Sequence, residues 1–190
     1  AIIAALASPE DLGYAEAARV VAQPILVLSA GLSAVLSPRA MKAAMDDDLI
    51  TARQNRKVYL AMILVAAIGY IAVAGWDWVL NPMAYIVPAA YVINGLVIAT
   101  VIANFSISAV YLQIHELMGA NREKALARIA WIASPVIIAG GATAAFTGAF
   151  ALAISRVAGT STRYVLQARE LGLVYGDVDA SPTSISGEVA

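Results

Sequence analysis

The chain has 190 residues, 61% of them hydrophobic and only 13% charged, with a mean hydropathy of +0.78. Soluble domains carry about 25% charged residues, so the composition excludes an ordinary water-soluble fold. A formal charge of −1 leaves no electrostatic footprint for nucleic acid, and the absence of Cys with a single His leaves no disulfide framework, thiolate site or multi-histidine metal centre.

These proportions predict an all-α, polytopic transmembrane helix bundle in contact with membrane lipids. Ala1–Ala7 is a short apolar stretch with no basic region before it, unlike a signal peptide. It reads as the outer end of a truncated transmembrane helix, and the chain as a fragment or processed product. The bundle is expected over residues 8–172, with five complete spans at about 15–37, 58–76, 86–111, 125–145 and 148–167.

The first span follows the acidic segment Ser8–Glu16 and is expected to stop at Ser37-Pro38, where a helix does not easily continue. Arg39–Lys57 reads as a cytoplasmic connection with five basic residues and the run Asp46-Asp47-Asp48. Those three Asp point in different directions on a helix and lack a second acidic pair, so a solvated loop is preferred to a metal cluster. Two apolar arms, Val58–Gly75 and Ile86–Tyr111, then flank an aromatic turn, Trp76–Tyr85. Basic residues lie beyond both far ends (Arg53, Arg56, Lys57; Arg122, Lys124, Arg128), which predicts those ends inside and the turn outside. Trp76, Trp78, Tyr70 and Tyr85 form an outer aromatic belt.

Gln113–Arg128 reads as the second cytoplasmic connection, with His115-Glu116 at the membrane interface and a helix stop at Gly119-Ala120-Asn121. No charge appears from Ile129 to Ser155, a stretch of about 40 Å as one helix and too long for a single span. Gly140-Gly141 and Thr147-Gly148 are the break candidates, and two helices with a tight outer turn are preferred. One long tilted helix followed by an amphipathic one is the alternative. Residues 173–190 read as a disordered cytoplasmic tail. The N-terminus is then outside and the C-terminus cytoplasmic, in a multi-pass protein of the cytoplasmic membrane.

Arg156 falls about two turns inside the membrane, where an Arg is costly unless it faces water or a partner. Thr160, Arg163 and Gln167 share its helical face. The stripe is either a site for an anionic group such as a diphosphate, which suits the Arg fork, or a snorkelling or structurally paired Arg. Arg19 and Gln23, one turn apart beside Pro24, are substrate candidates of the same kind, as are Asn94 and Asn104 in the second arm. For the Asn pair the competing reading is helix-to-helix glue. Pro24, Pro88 and Pro135 each interrupt a span, and Gly140, Ala144 and Gly148 form a small-residue packing series. A phosphate-binding loop, a Ser/His/Asp set and paired intramembrane carboxylates are all missing, so no enzyme, cofactor or metal is expected.

Leu12–Pro38 (LGYAEAARVVAQPILVLSAGLSAVLSP) resembles a segment of the polysaccharide flippases of the MOP exporter superfamily, which includes the MATE-type multidrug exporters. Glu116–Val136 (ELMGANREKALARIAWIASPV) is similar to the family's loop before its last two helices. The resemblance covers most of Leu12 to Gly172 and is one of layout. It implies the C-terminal half of a twelve-helix fold, with Ala1–Ala7 ending helix seven and the 58–115 hairpin as helices nine and ten. It implies alternating-access flipping of a lipid-linked oligosaccharide or polysaccharide precursor, with the missing N-terminal half as partner and a cationic cavity suited to Arg156 and Arg19. The rivals are a cation-coupled multidrug exporter half, a non-catalytic membrane scaffold subunit, and a membrane transferase.

Overall fold

The computed structural model describes residues 9–75, 85, 87–88 and 95–179. The expected stub at Ala1–Ala7, the aromatic turn, Asn94 and the end of the tail lie outside them. Six helices follow in order: α1 (Pro9–Met45), α2 (Leu49–Ala74), α3 (Leu96–Ala109), α4 (Tyr111–Gly119), α5 (Glu123–Thr147) and α6 (Ala149–Asp179). Among the described residues there is no strand.

Four helical segments are long and apolar enough to cross a membrane: Glu10–Met45, Ile50–Ala74, Leu96–Gly119 and Glu123–Ala142. This count differs from the expected five spans and a stub. Helix α6 has the length, 31 residues, but carries Arg156, Arg163, Arg169 and Glu170 along it.

The expected stop at Ser37-Pro38 does not occur, and α1 runs through both Pro24 and Pro38. The turns after Pro38 are held by packing: Ala40, Ala43 and Ala44 are buried, and a Cβ on Gly119 of α4 would meet the Met41 carbonyl oxygen at 2.4 Å. Such close approach outweighs the one backbone bond that Pro removes. The connection expected over Gln113–Arg128 is also largely helix, because α3 and α4 are nearly continuous and reach Gly119. Val110 between them keeps right-handed helical angles, φ −84° and ψ −16°. The Tyr59 hydroxyl donates to the Ser108 carbonyl at this junction, at 3.1 Å.

The turns follow from residues that tolerate left-handed backbone. Asp47 (φ 53°) reverses the chain after α1, and Asn121 (φ 56°) after α4. Asp48 caps α2, its carboxylate accepting from the Thr51 backbone N–H at 3.1 Å, so the acidic run is a turn and a helix cap. The apolar stretch after Ile129 is broken at Gly148 (φ 81°), which separates α5 from α6. Helix α6 continues to Asp179, beyond the expected start of the tail. Leu171 is buried there with Ala43, Ala52 and Leu117, and Val174 packs on them.

Helix α1 is central and packs on α2, α3 and α4, while α3 packs on α6 and α5 lies chiefly against α6. Burial is greatest along Leu96–Gly119, where 56% of the apolar stretch is buried, against 33% for α1 and 17% for α5. The outer face of α5 presents Trp131 and Ile138, and α2 presents Val65 and Ile68. Apolar side chains gain little by leaving lipid for protein, so small residues and close backbone approach carry helix association. The chain supplies them at Ala18, Ala22, Ala67 and Ala103 in the core. In the α5–α6 hairpin, a Cβ on Gly140 would meet the Ser155 Cβ at 2.3 Å.

Candidate functional site

One end of the bundle holds a cavity of about 180 Å³ between α1, α3 and α6. Helix α1 contributes Glu16 and Arg19, α3 contributes Thr100 and Ala103, and α6 contributes Ala153 and Arg156. Arg19 Nε donates to Glu16 Oε2 at 2.8 Å, a pair one helical turn apart and about half exposed. Arg156 is half-buried and lines the same cavity as Glu16. With one carboxylate and two guanidiniums, the three carry one net positive charge. The Thr100 hydroxyl donates to the Leu96 carbonyl within its own helix at 2.7 Å. The unspent hydrogen-bonding capacity of the cavity is therefore cationic, and it suits an anionic group.

The structure thus brings Arg19 and Arg156 together but separates the other sequence candidates from them. The Thr160 hydroxyl donates to the Arg156 carbonyl at 2.6 Å, and Thr160 lines a different, mostly apolar groove of about 400 Å³ with Leu60, Phe105 and Tyr164. Arg163 is half-buried, two turns further along α6. Gln167 is buried at the opposite end of the bundle, about 16 Å along the helix from Arg156. The stripe is not one site, because Thr160 lines a different groove and neither Arg163 nor Gln167 lines the cavity of Arg156. Gln23 is exposed on α1. The Asn104 amide donates to the Ala22 carbonyl at 2.9 Å, so it ties α3 to α1 and lines no cavity with the arginines.

Sequence reasoning missed Glu16, which reads as part of a polar segment ahead of the membrane. The i, i+3 spacing of Glu16 and Arg19 was the available signal. It also missed a polar layer at the other end. Arg56 Nη2 donates to Glu116 Oε2 at 2.8 Å and its Nε to Oε1 at 3.3 Å, and the Glu116 side chain is fully buried. Beside them the Ser37 hydroxyl lies 3.1 Å from His115 Nδ1 and 2.9 Å from the Ser33 hydroxyl. His115-Glu116 is therefore part of the helical interior, not an interfacial connection. Among the described residues no group of three His, Cys, Asp or Glu is placed to hold a metal ion.

No protein-family model, curated protein or solved structure matches the chain.

Proposed function

We propose that this bundle is part of a membrane transporter that moves a substrate with an anionic headgroup, the cavity between α1, α3 and α6 receiving that headgroup. The observation that carries the reading is the convergence of Arg19 and Arg156, from the first and last helices, on one cavity of net positive charge. Two guanidiniums suit a phosphate or diphosphate, and a cavity of about 180 Å³ holds a group of that size, not a whole lipid-linked saccharide. The resemblance to the flippases of the MOP superfamily supplies the substrate class: a lipid-linked oligosaccharide or polysaccharide precursor, flipped by alternating access together with a second half. In this reading α6 is the fifth span, and the basic residues Arg39, Lys42, Arg53, Arg122 and Lys124 mark the cytoplasmic end of a bundle in the cytoplasmic membrane.

Binding of a short-chain polyprenyl diphosphate to the purified protein tests this directly. Arg156→Gln should weaken binding at least about 10-fold, equivalent to about 1.4 kcal/mol, with the folded protein intact. Equal affinity in that variant would remove Arg156 from the site.

A second reading is a scaffold subunit in which the same residues are structural. It is favoured by the Glu16–Arg19 pairing and by a cavity smaller than the roughly 300–1,000 Å³ of typical ligand sites. There Arg156→Gln lowers stability and leaves diphosphate binding at the level of any apolar bundle.

A further inference from the structure

The polar layer at the opposite end contains hydrogen-bonding atoms that the protein itself does not pair. These are Asn55 Nδ2, both side-chain polar atoms of Gln113, and Gln167 Oε1. Gln113 and Gln167 are 0% and 1% exposed. Buried amide groups in folded proteins are almost always hydrogen-bonded, so two almost fully buried glutamines with orphaned atoms point to a partner outside the chain.

The three amides sit at one level. Ala52, Leu117 and Leu171 pack in a single cluster with Ala43. Gln113 is one turn before Leu117 on α4, Gln167 one turn before Leu171 on α6, and Asn55 one turn after Ala52 on α2. Helices α4 and α6 run toward this end and α2 runs away from it, so all three positions lie one turn deeper than the cluster. Helices α4 and α6 are in contact, as are α2 and α4. The Arg56–Glu116 pair occupies the same level, Arg56 following Asn55 and Glu116 one turn from Gln113.

The chemistry of the orphaned atoms selects the ligand. Two are donors, Asn55 Nδ2 and Gln113 Nε2, and two are acceptors, Gln113 Oε1 and Gln167 Oε1. A metal cation satisfies only the acceptors and is repelled by the amide N–H groups. The local charge does not favour one either, because Arg56 already neutralises Glu116. An anion satisfies only the donors. Water donates and accepts, and two to four partners hold a buried molecule.

We propose that the amides of Asn55, Gln113 and Gln167 form a buried water-binding site, in which a small cluster of waters bridges α2, α4 and α6 beside the Arg56–Glu116 pair. The site is independent of the transport reading and of the outer cavity.

X-ray hydroxyl-radical footprinting of the intact protein in nanodiscs tests it, since radicals form from waters inside the molecule. Leu117 and Leu171, 0% and 1% exposed, should be oxidised at least about ten times faster than Ile63, equally buried in the apolar core. Oxidation of both leucines as slow as that of Ile63 would overturn the proposal on the wild-type protein alone. Gln113→Leu with Gln167→Leu should bring their rates down to that of Ile63. If the double variant does not fold, Gln167→Met should slow Leu171 at least threefold. An unchanged rate in the folded variant overturns the role of the amides. Melting in sodium, potassium and choline chloride separates water from a cation. Equal midpoints are expected, whereas stabilisation by sodium or potassium that Gln167→Met removes would overturn the site in favour of a metal ion.

Discussion

The side-chain amide of Asn104 donates to the Ala22 backbone carbonyl across the α3–α1 contact, at 2.9 Å. The neighbouring Val21 carbonyl accepts from the Tyr70 hydroxyl of α2. Both carbonyls lie in the turn before Pro24, whose ring removes one N–H and strains the carbonyl four residues back. The carbonyl that Pro24 frees is that of Val20, and these two bonds from neighbouring helices hold the two residues that follow it. Asn104→Leu should destabilise the bundle by about 1–2 kcal/mol, read from unfolding in mixed micelles. Pro24→Ala in the same protein should reduce that loss, and additive losses would show that Asn104 does not act on the proline turn.

Gly119 sets the distance between α4 and α1. A Cβ there would fall 2.4 Å from the Met41 carbonyl oxygen and 3.1 Å from the Ala44 Cβ, so backbone must move to admit it. Gly119→Ala should cost about 1–3 kcal/mol by the same unfolding assay. Gly31, with nothing within 4 Å of its Cβ position, is the control, and Gly31→Ala should leave stability unchanged or improved.

The Arg56–Glu116 pair buries a carboxylate completely, with the guanidinium largely covered. Arg56→Met leaves that carboxylate uncompensated and should cost about 3–5 kcal/mol. Arg56→Met with Glu116→Gln removes the charge as well and should recover part of the loss. A double variant as unstable as the sum of the singles would deny the pair its coupling.

Asp48 lies outside the spans, and its carboxyl is held below the ordinary Asp value, first by its side-chain hydrogen bond with Thr51 and then by the Thr51 backbone N–H. A lowered folded-state value means that the stabilisation is complete above the unfolded value and is lost as pH falls through the folded one. The protection factor of the Thr51 amide should therefore be high at neutral pH and fall selectively below about pH 4. Asp48→Ala should show fast exchange throughout, with no acid step at that amide.

The long apolar runs were legible because lipid demands them, and the Gly148 and Asn121 turns because few residues accept left-handed backbone. Pro38 misled because tertiary contact, here the Gly119 approach to Met41, decides whether a proline ends a membrane helix. Gln113, His115 and Glu116 look like a connection by composition, and only the burial of Glu116 against Arg56 makes them interior. At the candidate site, the cost of a charge in the membrane singled out Arg156, with Arg19 beside it. Their meeting depends on how α1 and α6 cross α3, which no local spacing encodes. The same limit applies to Thr160 and Gln167, which share a helical face with Arg156 but not a cavity.

Translocation of a fluorescent lipid-linked diphosphate oligosaccharide, in proteoliposomes of the full transporter, tests the central claim most directly. With Arg19 and Arg156 holding the headgroup, Arg156→Gln should lower the rate at least about 10-fold, and Arg19→Gln by a smaller factor because Glu16 already engages it, with melting midpoints near wild type. Wild-type rates in both variants would contradict a headgroup site in this cavity and leave the arginines a structural role.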